Sequence, residues 1–150
     1  MTQSAKFIAF DFGAESGRAM LAAFDGERIT LQEAHRFANV PVRVRGSLHW
    51  DTLRLFDEIK RGLTNIAHEH RDIAGIGIDT WGVDFALLGR DDELLGNPFH
   101  YRDDRTIGMM DAVFEHISRE HVFEHTGIQF MEINSLYQLY AMKTQNAPAL

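Results

Sequence analysis

The sequence predicts an α/β fold with a mixed sheet, in which an antiparallel three-strand meander is followed by parallel strands and helices. Three apolar segments separated by short glycine-containing turns predict the meander: Lys6–Phe12, Arg18–Asp25 and Arg28–Phe37. An amphipathic helix is expected next, over residues 52–69. Ile73–Asp79 is then a short apolar run, and its place after a helix predicts a buried strand parallel to the first.

The helix over residues 52–69 is predicted from apolar residues that recur at spacings of three and four. Asp51, just before it, has the side chain of an N-cap. Upstream, Val40–Ser47 contains a proline, a glycine and two arginines without a period, which predicts a loop, and Leu48–Trp50 predicts a short strand. The periodic residues of the helix are Leu53, Phe56, Ile59, Leu63 and Ile66.

The second half of the chain alternates polar loops with helices. His100–Thr106 is a polar loop, and two helices are expected after it, over about 107–118 and 119–125, with Gly127 ending the second. A last helix is predicted over Leu136–Lys143. It continues into Thr144–Leu150, which has no feature of a natural domain terminus, so we expect the chain to be part of a longer protein.

Composition narrows the function classes. One hundred and fifty residues with 45% apolar content suit a single globular domain with a real core. The net charge is −7 and no basic run exceeds a pair, which disfavours binding to nucleic acid or to a membrane surface. Cysteine is absent, so disulfide and thiolate chemistry are excluded. The first residues carry no signal-peptide pattern, and we expect a cytoplasmic protein.

The turn between the first two predicted strands carries the strongest signal for a ligand. It reads Asp11-Phe-Gly-Ala-Glu-Ser-Gly-Arg18, and two glycines in it permit backbone angles that other residues resist. Such a turn can direct several backbone N–H groups at one point and so bind phosphate oxygens. Asp11 could hold a hydrated Mg²⁺ beside them. The alternative is an ordinary hairpin in which Asp11 bonds to the turn backbone.

A second polar cluster, Asp79-Thr-Trp-Gly-Val-Asp84, lies at the end of the predicted buried strand. Ligands of open α/β sheets gather at the carboxyl ends of strands. Trp81 offers an apolar face, Gly82 lets a ligand approach the backbone, and Asp79 and Asp84 accept hydrogen bonds from hydroxyl groups. This mixture suits a polyhydroxylated ligand such as a sugar. The alternative is a turn between strands in which Trp81 fills a hole in the core.

The loop Tyr101-Arg-Asp-Asp-Arg105 is a third candidate. Asp103 or Asp104 could bind substrate hydroxyls, but two arginines and two aspartates this close together are more typical of a self-paired surface loop.

His121 and His125 suggest a metal site, because His121-Val-Phe-Glu-His125 has the H-x-x-E-H order of one class of zinc peptidase. A catalytic zinc needs a third protein ligand, and the sequence offers no clear one. Histidines in a last helical turn also gain from the helix dipole. The metal hydrolase is therefore the weakest of the function hypotheses.

Taken together, the order of these segments resembles the FGGY family of carbohydrate kinases. The family opens with a strand–turn–strand of the form D-x-G-T-x-S-x-R, and the chain has Asp11, Gly13, Ser16 and Arg18 in register, with Ala14 in place of threonine. Further matching segments cover nearly the whole chain, the most specific being D-T-W-G-V-D, and they are most similar to the L-rhamnulose-phosphorylating branch of the family. They are Phe7–Leu21, Ile76–Phe85, Tyr101–Thr106, Thr126–Phe130 and Asn134–Leu139.

The resemblance implies a ribonuclease H-like (actin-like ATPase) lobe and ATP-dependent phosphorylation of the 1-hydroxyl of L-rhamnulose, assisted by Mg²⁺, in rhamnose breakdown. Asp11 would organise the metal through water. The sugar would contact Gly82 above all, with Trp81, Asp84 and Asp103 as further candidates. The ATP phosphates would lie against Ala14, Glu15, Ser16, Gly17 and Arg18.

Two departures limit what the resemblance implies. Ala14 lacks the hydroxyl that threonine would offer the phosphates, and Glu15 adds negative charge near them. Family members also have a second lobe, which carries the aspartate that acts as general base, and we expect that lobe to lie outside the 150 residues. The alternatives are a non-catalytic actin-like binding domain and a kinase for another ketose or polyol.

Overall fold

The computed structural model describes residues 4–149, which fall into two compact units. Within that range the first unit comprises the residues up to Val40 together with Asp51–Gly82, and the second comprises Pro41–Trp50 together with the residues from Val83 onward. The strands are β1 (Ala5–Phe12), β2 (Ser16–Phe24), β3 (Ile29–Ala38), β4 (Val42–Val44), β5 (Ser47–His49) and β6 (Ile73–Asp79). The helices are α1 (Thr52–Glu69), α2 (Met109–Phe114), α3 (Arg119–Thr126) and α4 (Ser135–Thr144), with a 3₁₀ turn over Asp104–Thr106.

The predicted mixed sheet is confirmed in the first unit. Strands β1, β2 and β3 form the antiparallel meander, and β6 pairs with β1 in parallel, so the strand order is β3-β2-β1-β6. The predicted helix and its cap are also confirmed. The Asp51 side chain accepts a hydrogen bond from the Arg54 N–H at the start of α1.

The core of the first unit lies between the meander and α1. Alternate residues of the meander point to one face, where they form a buried apolar cluster with Ile66 of α1. Each large side chain buried there stabilises the fold by about 1.5–3 kcal/mol. At Gly62 a Cβ would lie only 2.9 Å from Phe10 and Ala19, so glycine lets α1 approach the sheet closely. The meander residues of the cluster are Ile8, Phe10, Phe12, Ala19, Leu21 and Phe37.

One charged group interrupts the contact between α1 and β3. Glu58 of α1 is 1% exposed, and its carboxylate accepts hydrogen bonds from Arg54 Nε and from His35 Nε2, both at 2.6 Å. Burial raises the pKa of this carboxyl more than any other single cause, but the bonds from His35 and Arg54 together outweigh it and leave the pKa below its usual range. Glu58 therefore ties α1 to the strand that leads to the candidate site.

The prediction that Ile73–Asp79 is a buried strand is wrong in its burial, although its position and direction are right. Ile76 and Ile78 are each 58% exposed. They lie on the same face as the core residues Ile8 and Phe10, their register partners in β1. However, α1 packs against β2 and β3, and β6 lies at the edge of the sheet. An apolar run alone cannot tell an edge strand from a central one.

The second unit begins with a hairpin where the sequence predicted a loop. Strands β4 and β5 pair in antiparallel across Arg45 and Gly46, whose φ angles of 52° and 93° are those of a tight two-residue turn. Arginine is an uncommon residue at the first of these positions, so the turn signal was missed. The short strand predicted over Leu48–Trp50 corresponds to β5.

The helices of the second unit agree with the sequence in order, and α2 alone among these three differs clearly in length. Helix α2 is shorter than the predicted 107–118, whereas α3 and α4 lie within two residues of their predicted bounds. Gly127 ends α3 in a left-handed conformation with φ 62°, as expected of a glycine C-cap. Among the described helices, none is long and apolar enough to cross a membrane.

Candidate functional site

The predicted phosphate turn is a tight connection between β1 and β2. It is closed by a hydrogen bond of 2.9 Å from the Gly13 N–H to the Ser16 carbonyl. Within residues 4–149, the N–H groups of Ala14 and Glu15 donate no hydrogen bond to the protein. The Glu15 side chain is exposed. The turn therefore leaves these two N–H groups open to a ligand, and the binding of a phosphate there stays a prediction.

Asn39, directly after β3, holds this turn in place and was missed by the sequence analysis. Its side-chain Nδ2 donates to the Gly13 carbonyl and its backbone N–H donates to the Glu15 carbonyl, both at 2.9 Å. The residue is 5% exposed. The pairing of β2 with β3 could have indicated this role. Ser16, at the start of β2, lies opposite Ala38, so Asn39, the residue after Ala38, must lie beside the turn.

The two glycines of the turn serve a different purpose from the one that the sequence suggested. Neither Gly13 nor Gly17 adopts a positive φ. At Gly17 a Cβ would overlap the ring tip of Phe37, and at Gly13 it would lie 3.0 Å from the Ser16 carbonyl oxygen. Close packing, rather than backbone freedom, therefore requires glycine here.

Asp11 lies at the mouth of the turn and is paired with a cation. Its Oδ2 accepts a hydrogen bond of 2.7 Å from Arg18 Nε, across the β1–β2 pair. Both side chains are a little over two-fifths exposed. The Oδ1 atom accepts no hydrogen bond from the described residues, so this oxygen can still face a metal-bound water.

Asp79 is a second carboxylate at this edge. It is the register partner of Asp11 where β1 and β6 run in parallel, so the two side chains lie on the same face of the sheet. Two oxygen donors on neighbouring strands suit Mg²⁺, which usually keeps several waters and takes only one or two carboxylates. The donor set therefore fits the metal that the family resemblance implied.

Trp81 and Gly82 close the first unit. Trp81 is half-buried and packs against the apolar cluster of that unit. It therefore contributes to the core, as the alternative interpretation of this segment expected. Gly82 is exposed, and no atom lies within 4 Å of the place where a Cβ would be. Neither packing nor a positive φ requires glycine at this position, so its backbone is open to a ligand.

Val83, which follows Gly82 and belongs to the second unit, has a strained backbone. Its φ is 68°, in the left-handed region that a β-branched residue rarely adopts. Its carbonyl accepts a hydrogen bond of 2.6 Å from Ser135 Oγ and a longer one, 3.4 Å, from Gln138 Nε2. Both donors are on α4.

Asp84 is a hub of the second unit. Its carboxylate accepts hydrogen bonds from Trp50 Nε1 at 2.5 Å, from Gln138 Nε2 at 3.0 Å and from the Tyr101 N–H at 3.2 Å. The Trp50 ring is 1% exposed and stacks on His100 at 4.0 Å between centroids. Burial lowers the pKa of His100. The carboxylate thus joins the end of β5, the loop after residue 100 and α4.

The loop Tyr101–Arg105 is not the self-paired surface loop that its charges favoured. Asp103 is 7% exposed and accepts hydrogen bonds from the backbone N–H groups of Leu48, at 2.6 Å, and Arg105, at 3.1 Å. The Arg105 guanidinium instead donates to Gln138 Oε1 at 2.7 Å. Burial lowers the pKa of Arg105, and among the described residues its buried Nε and Nη1 atoms have no acceptor.

The second unit also contains a cavity beside Val83. Its volume is about 310 Å³. It is open to the surface, so the strained valine borders space that a small molecule can enter. The lining residues are Val83, Val122, Thr126, Ile128, Phe130, Asn134, Ser135, Leu136 and Tyr137.

The histidines of α3 contact each other. His125 lies with its Nδ1 atom 2.8 Å from the His121 carbonyl oxygen, one helical turn earlier, and the two rings are 4.1 Å apart between centroids. Over the described part of the chain, no group of three or more His, Cys, Asp or Glu side chains is placed to hold a metal ion.

The predicted site residues thus divide between the two units. Asp11 and the five turn residues Ala14–Arg18 lie together in the first unit, which also contains Trp81 and Gly82. Asp84 and Asp103 lie in the second, where both carboxylates act electrostatically on Arg105.

Comparison with known proteins gives a family match over nearly the whole chain. Residues 6–149 match the N-terminal domain of the FGGY family of carbohydrate kinases. Rhamnulokinase from Bacteroides thetaiotaomicron is 46% identical over 144 residues, which are 96% of this chain and 30% of that protein. Rhamnulokinase from Mannheimia succiniciproducens is 46% identical over 140 residues, 92% of this chain and 29% of that protein. The chain therefore spans about 30% of the length of these curated relatives.

Solved structures share the fold at low sequence identity. Gluconate kinase from Lactobacillus acidophilus superposes with a TM-score of 0.80 at 17% identity, over 98% of this chain and 30% of that one. Xylulose kinase from the same organism gives 0.80 at 18% identity, over 97% of this chain and 29% of that one. The α/β fold expected from the family resemblance is thereby confirmed.

Proposed function

Because the chain belongs to the FGGY family of carbohydrate kinases, we propose that it is the N-terminal lobe of an ATP-dependent kinase that phosphorylates L-rhamnulose at its 1-hydroxyl. The observation that carries this proposal is the 46% identity to rhamnulokinases over more than nine-tenths of the chain. The solved structures are too distant in sequence to support a choice of sugar, so the choice of L-rhamnulose depends on the curated relatives.

The turn after β1 is the proposed site for the ATP phosphates. Ala14 and Glu15 supply backbone N–H groups that no described residue occupies, and Arg18 adds a positive charge beside them. Backbone donors bind phosphate without any side-chain hydroxyl. The turn can therefore function although Ala14 stands where threonine was expected, and the exposed Glu15 carboxylate can point into solvent.

Asp11 and Asp79 are the residues that would hold Mg²⁺ through its waters. When bound, the ion neutralises part of the negative charge of the transferring phosphoryl group. Arg18 holds the Asp11 carboxylate in a fixed position through their 2.7 Å hydrogen bond. We expect this pairing to keep the free oxygen of Asp11 directed at the phosphate turn.

For the sugar, Gly82 is the proposed principal contact, with the face of Trp81 beside it. The exposed backbone of Gly82 lets a hydroxyl group approach its N–H and carbonyl. A carboxylate has about four acceptor sites. Asp84 and Asp103 already accept hydrogen bonds from the protein, so any sugar contact they make is limited to the sites that remain.

The general base is proposed to lie in a second lobe, outside these 150 residues. Phosphoryl transfer depends on positioning, charge stabilisation and exclusion of water from both sides of the reacting groups. No carboxylate of the described chain is therefore assigned that role. We expect the isolated 150-residue chain to have little or no kinase activity, and robust phosphorylation of L-rhamnulose by that chain would contradict the two-lobe proposal.

The test is an ADP-release assay on the complete protein with ATP, Mg²⁺ and a panel of ketoses and polyols. L-rhamnulose should give the highest kcat/KM, and the product should carry its phosphate on the 1-hydroxyl by NMR. Preference for another ketose or polyol would correct the substrate. ATP binding without sugar-dependent turnover would instead support a non-catalytic actin-like domain.

A further inference from the structure

The strain at Val83 lies next to the proposed sugar contact. A β-branched side chain at φ 68° clashes with its own backbone, and such residues persist only where their surroundings hold them. They cluster at functional sites. Val83 also borders the 310 Å³ cavity, so the strain is at a surface that a ligand can reach.

Helix α4 supplies the groups that hold this residue. Ser135 Oγ donates to the Val83 carbonyl at 2.6 Å, a short and well-formed bond. Gln138 is 1% exposed, and its Nε2 lies within hydrogen-bonding distance of the Val83 carbonyl, of Asp84 Oδ1 and of the Ile133 carbonyl. The two amide hydrogens are best placed for Asp84 and Ile133, so Ser135 bonds Val83 directly and Gln138 supports it mainly through the neighbouring Asp84. Together these two side chains form a clamp on Val83.

Gln138 cannot easily turn away from the clamp. Its Oε1 accepts the hydrogen bond from the Arg105 guanidinium at 2.7 Å, so a flipped amide would point its NH₂ group at a cation. The amide is therefore fixed by a donor on one side and by carbonyl and carboxylate acceptors on the other. A buried polar network of this kind specifies one arrangement of the groups it joins.

We propose that Ser135 and Gln138 are positioning residues that hold Val83 in the left-handed conformation and thereby orient the peptide group between Gly82 and Val83 for sugar recognition. The inference depends on the proposed function, because it assigns the sugar contact to Gly82. It adds to the proposed sugar site two residues of α4, which lie 52 and 55 positions after Val83 in the chain. Relaxation of Val83 to extended backbone changes both φ and ψ, and the change in ψ moves the Val83 carbonyl relative to this peptide group. The bonds that α4 makes to the carbonyl oppose that relaxation, so the clamp stabilises the orientation of the peptide group.

The side chain at position 83 gives the clamp a testable signature. Glycine adopts positive φ about as readily as negative φ, so a glycine there needs no clamp. Valine without the clamp would relax to extended backbone and turn the peptide group away. Loss of Ser135 should therefore be harmful with valine at position 83 and largely harmless with glycine.

The experiment measures steady-state kinetics of the complete protein for ketose and for ATP. Ser135→Ala should raise the KM for ketose roughly tenfold while the KM for ATP stays unchanged, an estimate from the usual size of backbone strain. Ser135→Thr keeps the hydroxyl and should restore most of the loss. The double variant Val83→Gly with Ser135→Ala should recover as well.

Ser118→Ala is the matched control. Ser118 accepts a hydrogen bond from the His121 N–H as the N-cap of α3, so its loss costs stability without touching the clamp. The Ser118→Ala protein should therefore have the same KM for ketose as wild type.

Three results would overturn the clamp: a wild-type ketose KM in Ser135→Ala, equal impairment of the single and double variants, or an equally raised KM in Ser118→Ala. A wild-type protein without turnover of any ketose would overturn the proposed function itself, and the sugar role of the clamp with it.

Discussion

Replacing Asn39 by alanine should weaken ATP binding while leaving the fold intact. The substitution removes the hydrogen bond from Nδ2 to the Gly13 carbonyl but keeps the backbone bond from the Asn39 N–H to the Glu15 carbonyl. The turn is then held at one point instead of two. The N–H groups of Ala14 and Glu15 become less well oriented for the phosphates.

The size of the effect follows from the lost bond. A neutral hydrogen bond contributes about 1 kcal/mol net, and this corresponds to roughly fivefold in the Kd for ATP if the turn must be ordered for binding. Asn39→Asp should be worse than alanine. It places a carboxylate oxygen, which cannot donate, 2.9 Å from the Gly13 carbonyl and adds a negative charge beside the proposed phosphate site.

Isothermal titration calorimetry of the complete protein with ATP and Mg²⁺ measures both variants. Asn65 is the matched control, because it is exposed and its Nδ2 makes only a marginal 3.5 Å contact with the Ala34 carbonyl in the same unit. Asn65→Ala and Asn65→Asp should bind ATP as wild type does. The reasoning fails if Asn39→Ala binds ATP as tightly as wild type, or if aspartate is no worse than alanine at position 39.

Two further predictions concern the stability of the first unit. Glu58→Gln should lower the free energy of unfolding by about 1–3 kcal/mol at pH 7, because it removes a carboxylate that accepts charge-assisted bonds. Since the pKa of Glu58 is lowered in the folded chain, this contribution is present above the ordinary value near 4.5 and is lost as the pH falls through the folded pKa. Urea unfolding at pH 7 and pH 3 should show the two proteins converging in acid, and a constant difference would contradict the assignment. Gly17→Ala should cost about 1–3 kcal/mol by forcing the buried ring of Phe37 aside. A thermal melt unchanged from wild type would show that the ring has room to move.

The elements with local signals were predictable from the sequence. Helix α1 has its apolar period and its Asp51 cap within one stretch of chain, and Gly127 marks the end of α3 by itself. The meander followed from apolar runs and short turns. Each of these features depends on residues close together in sequence, where intrinsic preferences and periodicity act directly.

The burial of β6 and the β4–β5 hairpin were not predictable in the same way. Ile76 and Ile78 would be buried if a helix covered them, and nothing in their own sequence says that α1 packs elsewhere. The hairpin requires Arg45 to adopt a φ of 52°, and its turn does not contain the Asn-Gly or Asp-Gly pair that usually marks such a turn. In both cases the structure depends on packing with other parts of the chain and not on the local sequence alone.

The candidate site shows the same division. The residues of the predicted phosphate turn could be proposed from the sequence because they are contiguous, but the residue that holds the turn, Asn39, follows a different strand. Asp79 reaches Asp11 only through the parallel register of β1 and β6. Ser135 and Gln138 act on Val83 from more than fifty residues away, and two polar residues of α4 were too weak a signal to reveal the clamp.

The exposed edge strand β6 has a practical consequence for the handling of the isolated chain. Its backbone can pair with another copy, and Ile76 and Ile78 offer that copy an apolar face. The net charge of −7 opposes such an encounter by repulsion, which at 0.1 M salt extends over about 10 Å. Added salt shortens that range and leaves the apolar attraction in place. Ionic strength, more than protein concentration alone, should therefore decide whether the purified chain stays monodisperse.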